Sequence, residues 1–193
     1  MIIFKYLLGL FSVFCMNNHS MAQFSEIEKD LDIGFNGGFE ISKNSKPVNW
    51  LLYTEKTTTS GDFDIILDTK NYKSGQQSLL FNVRGCSNKG GRFSPGMTQE
   101  IEVTPGVTYQ LSYWIKNVNA EFTIKVSGVS AFKKDVGPII TDNQDYNKWT
   151  KFEHEYTVPE NMNRLRFEMN ILKPGHLWID EIKVLEKDKE FSP

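Results

Sequence analysis

From about residue 33 onward, apolar and polar residues alternate with a period of two, and turn-forming residues interrupt the alternation roughly every ten positions. The pattern predicts strands over 62–67, 78–84, 99–103, 109–116, 122–127, 150–158, 164–171 and 177–184, with a further strand over 33–40. Only 25–31 reads as a short helix. Thr104-Pro105-Gly106-Val107 sets a Pro-Gly turn between two alternating runs, and Lys173-Pro174-Gly175-His176 does the same before the last strand. The stretches 85–97 and 128–147 are rich in Gly, Ser, Asn and charge and read as loops. So many short strands in a chain of 193 residues make an all-β fold, a two-sheet antiparallel β-sandwich of jelly-roll type.

The N-terminus follows a different rule. Residues 1–22 carry one charge, Lys5, ahead of an apolar run over 7–16, and Ser20-Met21-Ala22 offers small residues for cleavage before Gln23. This is the pattern of a secretory signal peptide, too short in its apolar part for a membrane span. Cys15 follows the bulky Phe14, which does not suit a lipid anchor. The expected location is therefore secreted, periplasmic or cell-surface. Residues 23–32 form a lead-in, 33–185 one sandwich domain and 186–193 a charged tail. After cleavage only Cys86 remains, so no intramolecular disulfide forms and this thiol is expected to pack as a small apolar side chain. With 22 Lys and Arg against 24 Asp and Glu, the net charge is −2, which offers neither nucleic acid nor an anionic membrane a basic surface.

Several segments, in order, resemble one family. These are Asn36-Gly37-Gly38-Phe39-Glu40, Trp50, Tyr72-Lys73-Ser74-Gly75-Gln76-Gln77-Ser78-Leu79, the run from Val103 through Thr104-Pro105-Gly106 to Tyr113-Trp114-Ile115-Lys116, Trp149 with Phe152 and Val158-Pro159, and Trp178-Ile179-Asp180-Glu181-Ile182. Together they resemble the carbohydrate-binding modules of the family 4/9/22 type, jelly rolls with a galactose-binding-domain-like fold. The resemblance implies a non-catalytic module that binds a poly- or oligosaccharide, as a monomer. It also implies a structural Ca²⁺ held by Glu40 and Asp180, with carbonyls of the first strand and of the 73–76 turn completing the shell. Ca²⁺ takes six to eight oxygens in loose geometry, so two carboxylates with carbonyls suffice.

Alternation assigns the sugar face. In 109–116, Tyr109, Leu111, Tyr113 and Ile115 share the core side, leaving Gln110, Ser112, Trp114 and Lys116 outside. The same division puts Asn82 and Arg84 outside in 78–84, and Arg164, Arg166, Glu168 and Asn170 outside in 164–171. If these strands share a sheet, Trp114 becomes an aromatic platform ringed by Arg84, Arg166, Glu168 and Asn170, suited to the CH-rich face and the hydroxyls of a sugar. Trp50 and Tyr53 are candidates for the cleft edge, whereas Trp149 and Trp178 are expected in the core.

Catalytic signals are sparse. His154 and His176 match no zinc spacing, and no nucleophile elbow or phosphate loop is present. Glu153 and Glu155 share a strand face as an acid/base pair would, but a solvated charged strand is by far the better reading. The run Asp142-Asn143-Gln144-Asp145 reads as turn chemistry or as a second cation site. The competing classes are a jelly-roll polysaccharide lyase or glycoside hydrolase, and a surface protein-interaction domain without sugar binding.

Overall fold

A computed structural model of the protein describes residues 34–58, 60–130 and 137–187. The expected leader and lead-in, the expected helix at 25–31 and the end of the expected tail lie outside the described residues. Two five-stranded antiparallel sheets hold nearly all of the rest. The first runs in the order β10 (Tyr146–Thr157), β7 (Thr108–Val118), β12 (Gly175–Glu186), β5 (Ser78–Cys86), β4 (Gly61–Asp68). The second runs β3 (Leu51–Tyr53), β6 (Gly96–Glu102), β11 (Arg164–Lys173), β8 (Glu121–Val129), β9 (Ile139–Asp142). A small hairpin, β1 (Ser42–Lys43) with β2 (Lys46–Pro47), precedes them. Both Pro-Gly turns carry the chain from one sheet to the other, so β6 and β7, and β11 and β12, lie on opposite layers.

The inward faces meet as alternation requires. Phe81, Leu111, Tyr113, Ile115 and Ile179 from the first sheet oppose Met97, Phe122, Ile124, Phe167 and Met169 from the second, all at 0–1% exposure. Phe167 links the layers, meeting Tyr113 edge-on at 5.7 Å and Trp50 edge-on at 6.1 Å. Tyr113 in turn stacks on Phe152, with ring centroids 5.5 Å apart. Such aromatic pairs add about 0.5–1.5 kcal/mol each beyond their burial.

Several expectations need correction. Residues 34–40 form turns, not a strand, because Gly34, Asn36 and Phe39 adopt positive φ. Asn36 acts there as a side-chain substitute for a strand partner: its Nδ2 donates to the carbonyls of Ile41 and Val48, and its Oδ1 accepts from Ile41 N. The three-residue β3 was not expected, and 128–147 contains β9 and the start of β10 where a loop was expected. Trp149 and Trp178 are half-buried, not core. Trp178 stands on the outer face of β12, where its indole N–H donates to Asp68 at 2.8 Å. Cys86 is likewise half-buried, and burial pushes its thiol up from the ordinary value.

Because Phe167 contacts both layers, Phe167→Ala is expected to cost about 3–5 kcal/mol of unfolding free energy in urea melts. A loss below about 1 kcal/mol would mean that the two sheets do not pack through this ring.

Candidate functional site

The structure divides the expected sugar platform between two opposite faces. Trp114 and Arg84 project from the outer face of the first sheet, whereas Arg166, Glu168 and Asn170 belong to β11 in the second. The platform as expected does not form, since outer faces of a sandwich point away from each other. Trp114 is half-buried beneath the Lys73 ammonium, which sits 4.2 Å from its ring centroid. Arg84 is an exposed ion-pair residue held by Asp62 and Asp64. Trp50 is also no ligand: it is 3% exposed, packs among Phe35, Phe39 and Phe167, and spends its indole N–H on the Asn36 carbonyl at 3.0 Å.

What the second sheet does bring together is a polar cluster. Tyr53, from the edge strand β3, donates its hydroxyl to Glu168 Oε1 at 3.3 Å. Burial and the Glu168 charge push the Tyr53 hydroxyl up to about 12, while Arg166 and Arg92 pull it the other way. It stays protonated and remains a donor. Cross-strand from Arg166 stands Glu100, which accepts from Arg166 Nε at 2.8 Å and from Arg164 Nη1 at 2.7 Å, and which Arg166 Nη2 also contacts. Below these groups a groove of about 670 Å³ opens between β6, β11 and the turn at 34–35, with Phe35, Leu51 and Ile101 among its lining.

Asn170 has a different role from the one expected. It is 3% exposed, and its amide forms a two-bond clasp with the main chain of Gly91, 2.8 Å to the N–H and 2.9 Å to the carbonyl. This clasp pins the loop between β5 and β6 beside the cluster. The loop carries Arg92 and the 55% exposed Phe93, an aromatic that period-two reasoning misses because it lies outside any strand. The glycine-rich loop, 85–97, was the one signal for it.

Glu40 and Asp180 do come together, through the turn at 73–77. Asp180 is fully buried and accepts from Lys73 N at 2.8 Å, Ser74 N at 3.2 Å and Glu181 N at 2.7 Å. Glu40 accepts from Gln76 N and Gln77 N. The turn thus offers N–H groups where carbonyls were expected, because Gly75 at φ +67 curls successive amides toward one side, a nest that attracts anions. A Cβ at Gly75 would lie only 2.2 Å from Glu40 Oε1. Glu181 joins the pair: its Oε1 and Asp180 Oδ1 lie 3.3 and 3.9 Å from where a Cβ on Gly38 would stand. Burial pushes the Asp180 carboxyl up to about 6, with the Glu181 charge adding to the rise against three N–H bonds. A hard cation here would use the Asp180 and Glu40 oxygens in competition with the N–H donors of the turn. Among the described residues no three Asp, Glu, His or Cys side chains are placed to hold a metal by themselves, so carbonyls and water would supply most of the shell.

The remaining candidates are accounted for locally. Glu153 pairs with Lys151 and Glu155 with Lys187, both on the exposed edge strand β10. His154 points inward, sharing a 2.8 Å hydrogen bond with the Tyr113 hydroxyl, and burial lowers its pKa. His176 lies beside Trp178. Asp142 and Asp145 accept from Gln144 N, Tyr146 Oη and Asn119 N, which is turn chemistry. No helix among the described residues is long and apolar enough to cross a membrane.

A family model described as a carbohydrate binding domain matches residues 32–175. The chain belongs to that family. A family 4 carbohydrate-binding module superposes with a TM-score of 0.58 at 15% identity, over 79% of this chain and 98% of that one. The CBM22-1 xylan-binding domain of Xyn10C from Paenibacillus barcinonensis superposes at 0.53, 15% identical, over 78% and 91%. At such identities these neighbours establish the jelly-roll fold of this carbohydrate-binding module. By sequence, the chain is also 29% identical over 179 residues to the tRNA(Glu)-specific nuclease WapA of Bacillus subtilis subsp. natto. That match spans 85% of this chain but 7% of WapA.

Asp180 gives the fold a pH signature. Its folded pKa of about 6 exceeds the ordinary 3.8, so the native state binds this proton more tightly than the unfolded state does. Its contribution is fully present below 3.8 and is lost as pH rises through about 6. In chelator, the melting temperature of the wild type relative to Asp180→Asn should therefore fall across that window. A flat difference would mean that the carboxyl is not raised.

Proposed function

We infer that this carbohydrate-binding module is non-catalytic and binds a poly- or oligosaccharide on the outer face of the second sheet, in the groove beside Tyr53, Glu168, Arg166 and the Phe93 loop. The observation that carries this is an apolar groove lined by two guanidiniums on a shared carboxylate, with a fixed hydroxyl donor and its carboxylate on the same strands and a clasped loop that bears an exposed aromatic. A sugar ring presents just these needs: its CH face takes Phe93 or the groove floor, and its hydroxyls exchange with Glu168 and the guanidiniums. The non-catalytic reading rests on the same groups. Glu100 is tied to two arginines and Glu168 to Tyr53, which gives these two carboxylates partners other than a reacting sugar oxygen. Residues 1–22 would deliver the chain to a compartment where polysaccharide is met, and detection of the exported protein starting at Gln23 tests that step.

A glycan array with the purified protein is the direct test. Phe93→Ala should cost about 1–3 kcal/mol of binding, the range for an aromatic stacking on an open platform. Glu168→Ala should weaken binding about tenfold, as expected for loss of a charged hydrogen-bond acceptor. Trp114→Ala, on the opposite face, should leave affinity unchanged. Binding lost in the Trp114 variant but kept in the other two would move the site to the first sheet.

We also propose a structural Ca²⁺ at Glu40 and Asp180, which would favour the ionised form of the buried Asp180. A ligand of the native state stabilises by RT ln(1 + [L]/Kd), about 2.7 kcal/mol at a hundredfold excess over Kd. Chelator should then lower the melting temperature of the wild type but not that of Asp180→Ala. Identical melts in chelator and in millimolar Ca²⁺ would remove the metal from this account.

A further inference from the structure

The loop at 87–95 is held more tightly than a surface connection requires. Gly90 and Gly91 adopt positive φ, +71 and +56, so its tip is made of the two residues with the most backbone freedom to lose. Two buried side chains fix it. Asn170 accepts the Gly91 N–H on Oδ1 at 2.8 Å and donates Nδ2 to the Gly91 carbonyl at 2.9 Å. Ser94, fully buried, accepts from Gly90 N at 2.9 Å and donates to the Ser87 carbonyl at 2.5 Å. Between these anchors a short helical turn, Gly91–Phe93, closes with Phe93 N on the Gly90 carbonyl and leaves the Phe93 ring in solvent.

The strands are shaped to admit the clasp. Gly96 of β6 stands in register with Asn170, and a Cβ there would collide with Asn170 Nδ2 and the Met169 carbonyl. Glycine at 96 therefore clears the path by which the amide crosses to the loop. The Pro95 carbonyl accepts from Ile171 N at 2.8 Å, which ties the end of the loop to the next residue of β11. The clasped turn lies against the polar cluster: a Cβ on Gly91 would stand 4.0 Å from Glu168 Oε1, the oxygen that accepts from Tyr53. At 3% exposure Asn170 offers a ligand almost no surface of its own, so its influence on binding passes through the loop.

We propose that Asn170 is a positioning residue of the glycan site, holding the 87–95 loop in one binding-ready shape and thereby setting how much affinity Phe93 contributes. This rests on the glycan reading above and deepens it. A loop free to wander would have to be ordered by the sugar, and that entropy would be subtracted from binding. The clasp moves the cost into folding, where the buried strand β11 bears it.

The test is Asn170→Asp, which keeps the size and the acceptor but turns a carboxylate oxygen toward the Gly91 carbonyl in place of an N–H. At neutral pH the loop amides of Gly91 and Phe93 should exchange hydrogen about tenfold faster than in the wild type, while those of β6 and β11 keep their rates. Affinity for the oligosaccharide that the wild type binds best on the glycan array should fall about tenfold. Phe93→Ala should cost little further in this background, because the ring has already lost its fixed place. Lowering the pH until the carboxyl takes up a proton restores an O–H donor beside a carbonyl acceptor, and should return loop exchange and affinity toward those of the wild type at the same pH. Ser94→Ala, which loosens the same turn from its other anchor, should reproduce the losses without the recovery at low pH. Melting temperatures establish that each variant is folded. Unchanged loop exchange, unchanged affinity in a variant whose loop exchanges fast, or an undiminished Phe93→Ala loss in the Asn170→Asp background overturns the positioning role and leaves the glycan reading standing. A blank array with the wild type overturns both.

Discussion

The register of β11 between β6 and β8 sets the core and the candidate site at once, because side chains on a strand alternate and a slip of one residue exchanges the two faces. In the register observed, Leu165, Phe167, Met169 and Ile171 fill the space between the sheets. Their neighbours Arg164, Arg166, Glu168 and Asn170 are thereby forced outward, opposite Glu102, Glu100, Thr98 and Gly96 of β6. The apolar burial of the first set, about 1.5–3 kcal/mol per side chain, fixes the placement of the second far more firmly than any polar contact on the face itself. Binding groups held this way lose little entropy when a ligand arrives, which is the advantage of a site built on strands.

Around that strand the loops supply what a flat sheet lacks. Asn170 spends its amide on Gly91, a use of a strand residue that costs a candidate ligand but orders the loop bearing Arg92 and Phe93. The brevity of β3 has a similar effect at the other side, since it ends the sheet early and leaves the groove open along β6. The site is therefore a product of where pairing stops as much as of which side chains the strands carry.

The opposite end of the economy is electrostatic. Glu40 from the start of the domain and Asp180 from its last strand are joined through the amides of the 73–77 turn, so that three distant segments close on one another. Glu181, at φ +52 in the bulge of β12, and Gly37, whose carbonyl accepts from Ile182 N, complete the junction. Any added Cβ at Gly37 would meet the Ile182 carbonyl at 1.9 Å, which accounts for glycine there. The junction is built on β12, the middle strand of the first sheet, and so belongs to the other layer from the candidate groove.

Period-two alternation by itself determined the eight long strands, their inward faces and the all-β class, because burying one face of each strand is the dominant energy term and leaves its trace at every second residue. It also determined that Trp114, Arg166 and Glu168 are outward residues, and the acidic residues at the two chain ends foretold that Glu40 and Asp180 meet. Alternation carries no information on which sheet a strand joins, and there the tertiary structure decided: β7 and β5 went to one layer and β11 to the other, separating Trp114 and Arg84 from Arg166 and Glu168. It decided as well that Trp50 is core, that Tyr53 reaches Glu168 across 115 residues of sequence, and that Phe93 stands exposed in the loop that Asn170 clasps at Gly91. Those outcomes depend on long-range strand order and on loop main-chain geometry, where the deciding contacts lie between residues far apart in the chain and no local pattern records them.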